Sequence, residues 1–573
     1  MILFKRINGF SIVKTLLLCL HLLADYLLNF LFLLKTSFLN KSSLVFLRNF
    51  GLASFLVLLL ILSGCGKKPS ATGVYLAELF KDKKYKEFDT AAFNVAVKKE
   101  VKQQQLKLFN SKVLKRFLNE KNANDTVWLI SLMQRRHIDT LEKYLSQSYR
   151  HGIDPQLFNI DKIDSLKQLF YQGKFDSLPQ LYKVIAQLQV LTANAFISYA
   201  SKVKYGCVNP SQIYARYYIP VEKPTDSSLY AILNSENWTA LLQKIQPVRK
   251  EYLVLQNALD TCSNADLRAK IVLNMERYRW QIPVDSGRFV RVNIPSFYLV
   301  VVDSGKTQLS MKVCVGEKRV DDYDIKKAVY LKSHKVEDKP QNHETPIMYG
   351  KLNNIQLNPK WNIPHSIAQT EILAKSRANP YYLVSSGIRV YNKEGKPVDP
   401  TEVDWEGVNP NNIPYSFKQD PGDGNALGKF KFNFPNKSSI YLHDTPNKMA
   451  FKKDNRAVSH GCVRVADPLN FARVLIQSAK MYDEIRIETG FPPIDTLKMN
   501  RYERKLAHQQ TVGRQTRWIT IKNSWPLFID YYTCVPDSNG TVKVYTDIYG
   551  YDSILLDSLK RFLVKSRQNT AKR

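Results

Sequence analysis

Two short segments carry the residue types that could do chemistry. Tyr441-Leu442-His443-Asp444-Thr445 and Ser459-His460-Gly461-Cys462-Val463-Arg464 place an imidazole nineteen residues ahead of a thiol in a glycine turn. Cysteine attacks as its thiolate, and a neighbouring imidazole promotes that form, so His443 and Cys462 are a candidate pair for acyl transfer through a thioester. Gly461, lacking a Cβ, permits a close backbone approach and unusual dihedrals beside the nucleophile. Backbone N–H groups around His460, Gly461 and Cys462, with Ser459 in support, could converge on a developing oxyanion, and losing one such donor typically costs about 100- to 1000-fold in rate. A metal centre built from His443, His460 and Cys462 would need a fourth ligand or an open position. The chain offers neither a His-Glu-x-x-His pattern nor clustered carboxylates to complete it, so no metal or other cofactor is expected.

Two loops this far apart need a scaffold to bring them together, and the chain changes texture accordingly. Over residues 71–280 apolar residues recur at helical spacing, as in Leu181, Val184, Ile185 and Leu188, and this region is predicted to be a helical domain. Residues 281–287 form a short linker. Beyond it the period switches to two: residues 288–302, a turn at Asp303-Ser304-Gly305-Lys306, and residues 307–316 read as a hairpin. Further strand-like pieces are 351–357, 429–434, 439–442 and 484–487. The second half is therefore expected to be mainly β, with its chemistry carried in loops, and the whole chain α+β and multidomain.

The N-terminus bears on the compartment. Residues 51–61 are a short apolar run behind Lys41 and Arg48, and Leu62-Ser63-Gly64-Cys65 follows at once. That run is short for a membrane span of about 20 residues. It resembles a bacterial lipoprotein signal, with Cys65 as the lipidated residue, while an uncleaved anchor is the competing reading. Residues 15–34 are a second apolar stretch, interrupted by His21 and Asp25. Either reading tethers the protein to a membrane with its bulk outside the cytoplasm.

Composition fits a globular protein: 44% of the 573 residues are hydrophobic and 12% aromatic, enough for a large core. The 83 basic and 51 acidic residues give a net charge of +32, which suits an anionic polymer or membrane surface. No zinc-finger spacing, RNP-type aromatic motif or phosphate-binding glycine loop accompanies the charge, and no nucleic-acid partner is expected. Seven cysteines, two of them in the leader, do not form a disulfide framework. Cys207, Cys262, Cys314 and Cys534 lack catalytic company and are expected to pack as small hydrophobes, with a Cys207–Cys262 bridge left open.

The motifs extend well beyond the cysteine. Asn274-Met275-Glu276-Arg277 with Trp280, Val292-Asn293-Ile294-Pro295, Thr345-Pro346, Leu357-Asn358-Pro359 with Trp361 and Pro364, Gln419-Asp420-Pro421-Gly422, Asn425-Ala426-Leu427-Gly428 and Lys431-Phe432 precede the two opening segments in order. Together these resemble the L,D-transpeptidases of the YkuD-fold class, most closely the large YcbB-type branch. The resemblance implies a mainly-β catalytic domain over residues 288–490 behind a helical scaffold domain (71–280), with a mobile capping insertion at 365–418 and a C-terminal extension (491–573) packing on the catalytic domain; residues 1–65 are the leader. It departs from the family at 248–270, which is too short for the peptidoglycan-binding module that many relatives carry.

The resemblance also implies the roles. Cys462 would attack the carbonyl that joins the third residue of a peptidoglycan stem peptide to a terminal D-Ala. His443 would act as proton acceptor and donor, its second ring nitrogen oriented by a backbone carbonyl. Tyr441 and Asp444 are weaker candidates for substrate contact, and Arg464 either meets a substrate carboxylate or forms a structural salt bridge. Stem peptides would be donor and acceptor; hydrolysis of the same acyl-enzyme and a silent wall-binding scaffold stay open as alternatives.

Overall fold

The computed structural model describes residues 68–564, apart from 122–126, 281, 284–286, 336–337 and 538. The leader and the lipidation candidate Cys65 lie outside the described residues. The chain divides into two compact units, ending and beginning at Phe88 and Asp89. In the first, the helix Ala71–Leu79 is capped by the Ser70 hydroxyl, which accepts from the Gly73 N–H at 3.1 Å. Gly73 is tightly placed: a Cβ there would meet the Tyr85 carbonyl oxygen at 2.9 Å.

The second unit starts as a helical region built around α1 (Leu178–Tyr205). Residues on every face of α1 are buried, including Gln189, Thr192 and Ser198, which marks it as the central helix rather than a surface one. It stops at Gly206, whose φ of +87° favours glycine. After shorter helices the chain reaches α2 (Ala265–Arg279), capped by Asn264. Its buried charges join this region to the rest. The Glu276 carboxylate accepts from the Cys207 and Val208 amides at 2.6 and 3.0 Å and from Arg279 at 2.6 Å. Arg277 pairs with Asp552 at 2.7 Å. Removing one partner of such a buried pair costs about 3–5 kcal/mol, because it strands the other charge.

The β half is built on one large sheet. Its strands are β1 (Tyr217–Tyr218), β2 (Phe289–Asn293), β3 (Tyr298–Asp303), β4 (Lys306–Gly316) and β5 (Ile347–Leu357), then, outside this sheet, β6 (Trp361–Asn362), β7 (Ile388–Tyr391), β8 (Pro397–Val398) and β9 (Ser416–Gln419). It resumes with β10 (Phe430–Asn433), β11 (Leu442–His443), β12 (Ala457–Ser459), β13 (Val463–Val465) and β14 (Arg517–Asp530); β15 (Cys534–Pro536) and β16 (Val542–Val544) form a separate ribbon. The order is β1-β5-β10-β11-β13-β4-β3-β2-β14, with β12 beside β4. Because β14 hydrogen-bonds to both β2 and β5, the sheet closes on itself around a core that includes Val290, Leu299, Val313, Ile355, Phe432, Leu442, Val463 and Trp525.

Three local readings are corrected. The run 288–302 is not one strand: Ile294-Pro295-Ser296-Phe297 turns the chain, with Phe297 at φ +55°, so β2, β3 and β4 form a meander. Residues 484–487 are helical, inside α4 (Ala479–Glu488), which follows α3 (Pro468–Ile476). The Ser478 hydroxyl caps α4 through the Met481 amide, and burial of Tyr482, Ile485 and Glu488 follows the helical period despite the alternating Ile-Arg-Ile-Glu. Within 439–442 only Leu442 joins a strand. Cys207, Cys262, Cys314, Cys462 and Cys534 are all free thiols, so the Cys207–Cys262 bridge is not formed. Cys314 and Cys534 are buried, whereas Cys207 and Cys262 are partly exposed.

Between β5 and β10 lies a smaller layer, the four-stranded sheet β6-β9-β7-β8 with helices over 365–385. It has its own core of Ile363, Leu373, Leu383, Val390, Trp405 and Phe417. Among the described residues no helix is long and apolar enough to cross a membrane.

Candidate active site

Strand register assembles the site. Trp518 pairs with Gln356, Gln356 with Lys431, Lys431 with His443, and His443 with Arg464, across β14, β5, β10, β11 and β13. Side chains of directly paired residues lie on the same face of a sheet, so residues far apart in sequence form one row. All five line a cleft of about 1400 Å³, together with Tyr441, Ser459, His460 and Cys462 and with residues of the smaller layer such as Glu371 and Tyr382.

His443 is buried, and its Nδ1 lies 2.5 Å from the backbone oxygen of Asp444. A carbonyl only accepts, so Nδ1 carries the proton and Nε2 is left with its lone pair. Burial first, then the Arg464 guanidinium, holds the imidazole pKa down at about 3. The ring is a neutral base at every ordinary pH.

Cys462 follows directly on the Ser459-His460-Gly461 turn, and its Sγ lies 3.8 Å from the backbone oxygen of Ser439, a residue at φ +55° in the separate turn ahead of Tyr441. Burial pushes the thiol pKa up; the Tyr441 backbone and hydroxyl at the sulfur, then Lys431 and Arg464, draw it back. The resting pair is therefore thiol and imidazole rather than thiolate and imidazolium. The Lys431 ammonium stacks on Tyr441, 4.1 Å from its ring centre.

The turn before the thiol is held from both sides. The Ser459 hydroxyl donates to the Cys462 carbonyl at 2.6 Å and accepts from the Gly461 N–H at 3.2 Å. The Thr345 hydroxyl donates to the Gly461 carbonyl at 2.8 Å, and Tyr549 accepts from the Thr345 amide at 3.1 Å. Gly461 has φ +113°, open to glycine and strained for other residues, and a Cβ would come within 3.4 Å of the His343 oxygen and Ile440. Since Ser459 already takes the Gly461 amide, that group is not free for an oxyanion. The Cys462 amide has no acceptor among the described residues.

The other expected residues separate. His460 is partly exposed; its Nε2 pairs with Glu371, and its ring packs edge-on against His343 at 4.4 Å. Asp444 does not line the cleft: its carboxylate accepts from the Thr445 and Lys429 amides at 2.7 and 2.9 Å and pairs with Lys448, so its contribution is its backbone oxygen. Arg464 lines the cleft and has no ion pair among the described residues, against the salt-bridge alternative. Thr345 and Lys431 stood inside motifs already noted, without an assigned role. Glu371, Gln356 and Trp518 carried no local signal, because only register and the folding-over of residues 365–418 bring them here. Among the described residues no group of three or more His, Cys, Asp or Glu is placed to hold a metal.

Residues 287–482 match the L,D-transpeptidase catalytic domain of the YkuD family, and residues 114–259 match a scaffold domain. A protein of Haemophilus influenzae named "Putative L,D-transpeptidase" is 29% identical over 364 residues. The matched region covers 61% of this chain and 64% of that protein's length.

Proposed function

We propose that this chain, which carries an L,D-transpeptidase catalytic domain behind a helical scaffold domain, is a peptidoglycan L,D-transpeptidase that works through a thioester on Cys462. The observation that carries the reading is the neutral His443, with Nε2 unprotonated, lining the same cleft as the Cys462 thiol. In the first half-reaction Nε2 takes the thiol proton as Sγ attacks the stem carbonyl, giving a tetrahedral oxyanion. The Cys462 amide is an uncommitted donor for that oxygen. Collapse breaks the C–N bond, the imidazolium protonates the leaving D-Ala amine, and the acyl group stays on sulfur. An acceptor amine then attacks the thioester, Nε2 takes its proton, and the thiol is restored when that proton returns to sulfur. A cleft of about 1400 Å³ exceeds the roughly 300–1000 Å³ of a pocket for a drug-sized ligand, which suits a substrate as large as a peptidoglycan stem.

The scaffold domain supports membership of the large YcbB-type branch. The Leu62-Ser63-Gly64-Cys65 pattern supports a lipid-anchored protein of the cell envelope that faces its wall substrate. The test is mass spectrometry of the purified enzyme with a disaccharide-tetrapeptide. Cross-linked dimer with loss of D-Ala is expected, together with an acyl adduct on Cys462 that Cys462→Ala abolishes. Trimmed monomer alone would make the enzyme a carboxypeptidase, and an unchanged substrate with no adduct would leave a non-catalytic scaffold.

A further inference from the structure

The acids of the cleft are already paired. Glu371 engages His460 and Lys375, and Asp420 engages Lys360 and Arg389. Of the cleft's cations without an ion pair among the described residues, Arg216 is taken up by hydrogen bonds to Asn342 and the Glu344 carbonyl oxygen and Lys339 lies over the Tyr330 ring; the other two flank His443 in the cross-strand row, Lys431 on one side and Arg464 on the other. Neither has an acidic partner among the described residues. Lys431 is only partly exposed, with its ammonium stacked on the Tyr441 ring and the Cys462 sulfur as its electrostatic neighbour. A partly desolvated ammonium without a counter-ion is costly unless the anion arrives with the ligand. Burial accordingly pulls the Lys431 pKa down from its usual value.

We infer that Lys431, with Arg464 across His443, forms a carboxylate subsite that reads the free C-terminal carboxylate of the acyl donor's leaving residue. This rests on the reading of Cys462 as the nucleophile. The geometry suits it: the C-terminal carboxylate lies one residue beyond the scissile carbonyl, so a cation beside the attacking sulfur sits within reach of both. The subsite makes the enzyme select donors cut one residue from their end, and a donor with a longer or amidated end leaves Lys431 unpaired. A single charge-assisted hydrogen bond of this kind is worth on the order of 10- to 100-fold in affinity or rate.

Two experiments on the full chain test this. In the first, a tetrapeptide stem and its C-terminal carboxamide are compared as donors. The free acid is expected to win by about 10- to 100-fold in kcat/KM, and Lys431→Met, which keeps the aliphatic stem over Tyr441, is expected to collapse that ratio toward one. An unchanged ratio in the variant overturns the subsite. The second needs no turnover: alkylation of Cys462 at one pH by iodoacetate, which carries a carboxylate, against iodoacetamide, which does not. Lys431→Met is expected to lose reactivity toward iodoacetate while iodoacetamide still labels, the latter also showing that the variant is folded. Equal loss toward both reagents, or no loss toward iodoacetate, overturns the proposal. Absence of turnover by the unaltered enzyme with either donor would count against the proposed function, and the alkylation ratio would still decide the subsite.

Discussion

Burial acts in opposite senses on a thiol and an imidazole, and at this site both shifts favour the uncharged forms. The thiol proton is held more tightly than usual, and His443 binds one only near pH 3. A preformed ion pair would need both groups shifted the other way. Proton transfer from Cys462 to Nε2 therefore belongs to the reaction step, when the substrate carbonyl accepts the sulfur lone pair. Alkylation of Cys462 by iodoacetamide should accordingly rise steadily with pH through and beyond about 9, with no plateau between pH 5 and 8. A plateau there would show a standing thiolate–imidazolium pair. His443→Gln should leave this alkaline limb in place, because the imidazole is neutral throughout it, yet should lower acyl transfer by about 100- to 10,000-fold through loss of the base.

At the scale of elements, the layer over residues 365–418 is joined to the nucleophile turn by the pair of Glu371 with His460, and Glu371 sits in a single π-helical turn, Ala368–Ile372. The hydrogen bond to His460 holds the Glu371 carboxyl below its usual pKa. With both side chains about a third exposed, 34% and 37%, the pair contributes under about 1 kcal/mol. Glu371→Gln should raise amide hydrogen exchange over 365–418 by about two- to fivefold, leaving β2–β5 and β14 unaltered; exchange unchanged in that layer would show that the pair does not fasten it. This fastening could not be read from the sequence. Legible there were the helical period before residue 280, the period-two runs after it, and the His443 and Cys462 segments, all of them local patterns. What escaped was set by chain reversal or by register: the turn at Phe297 inside an apolar run, the helical Ile485 and Ile487, and β1, two tyrosines that leave the helical region to pair in parallel with Ile347 and Met348. The row from Trp518 to Arg464 escaped for the same reason, since five residues on five strands share no spacing.

At the scale of the whole second unit, buried charges tie the helical region to the closed sheet. Asn274 donates to Thr533 at 2.9 Å, Thr533 donates to Asp552, and Arg277 pairs with Asp552, so loosening either half exposes groups belonging to the other. Each half also holds a histidine that must stay neutral. His151, 2.7 Å from the Tyr252 hydroxyl, is pressed down to about 3 by burial and then by Arg279 and Arg150, much as His443 is in the sheet. In the unfolded chain both would titrate near 6.5, so between pH 6.5 and 3 the unfolded state binds more protons than the folded one. Their stabilising contribution is thus complete above pH 6.5 and is lost as pH falls through that value, by up to about 1.4 kcal/mol per pH unit for each group. The expected outcome is a melting temperature that falls as pH drops from 6.5 to 5, before the bulk of the carboxylates titrate. His151→Gln should melt lower than the unaltered chain at pH 7.5, having lost a buried partner for Tyr252, yet decline less steeply toward pH 5. Thermal unfolding followed by circular dichroism at half-unit pH steps measures both slopes, and parallel curves would mean that His151 takes up its proton in the folded protein as readily as in the unfolded one.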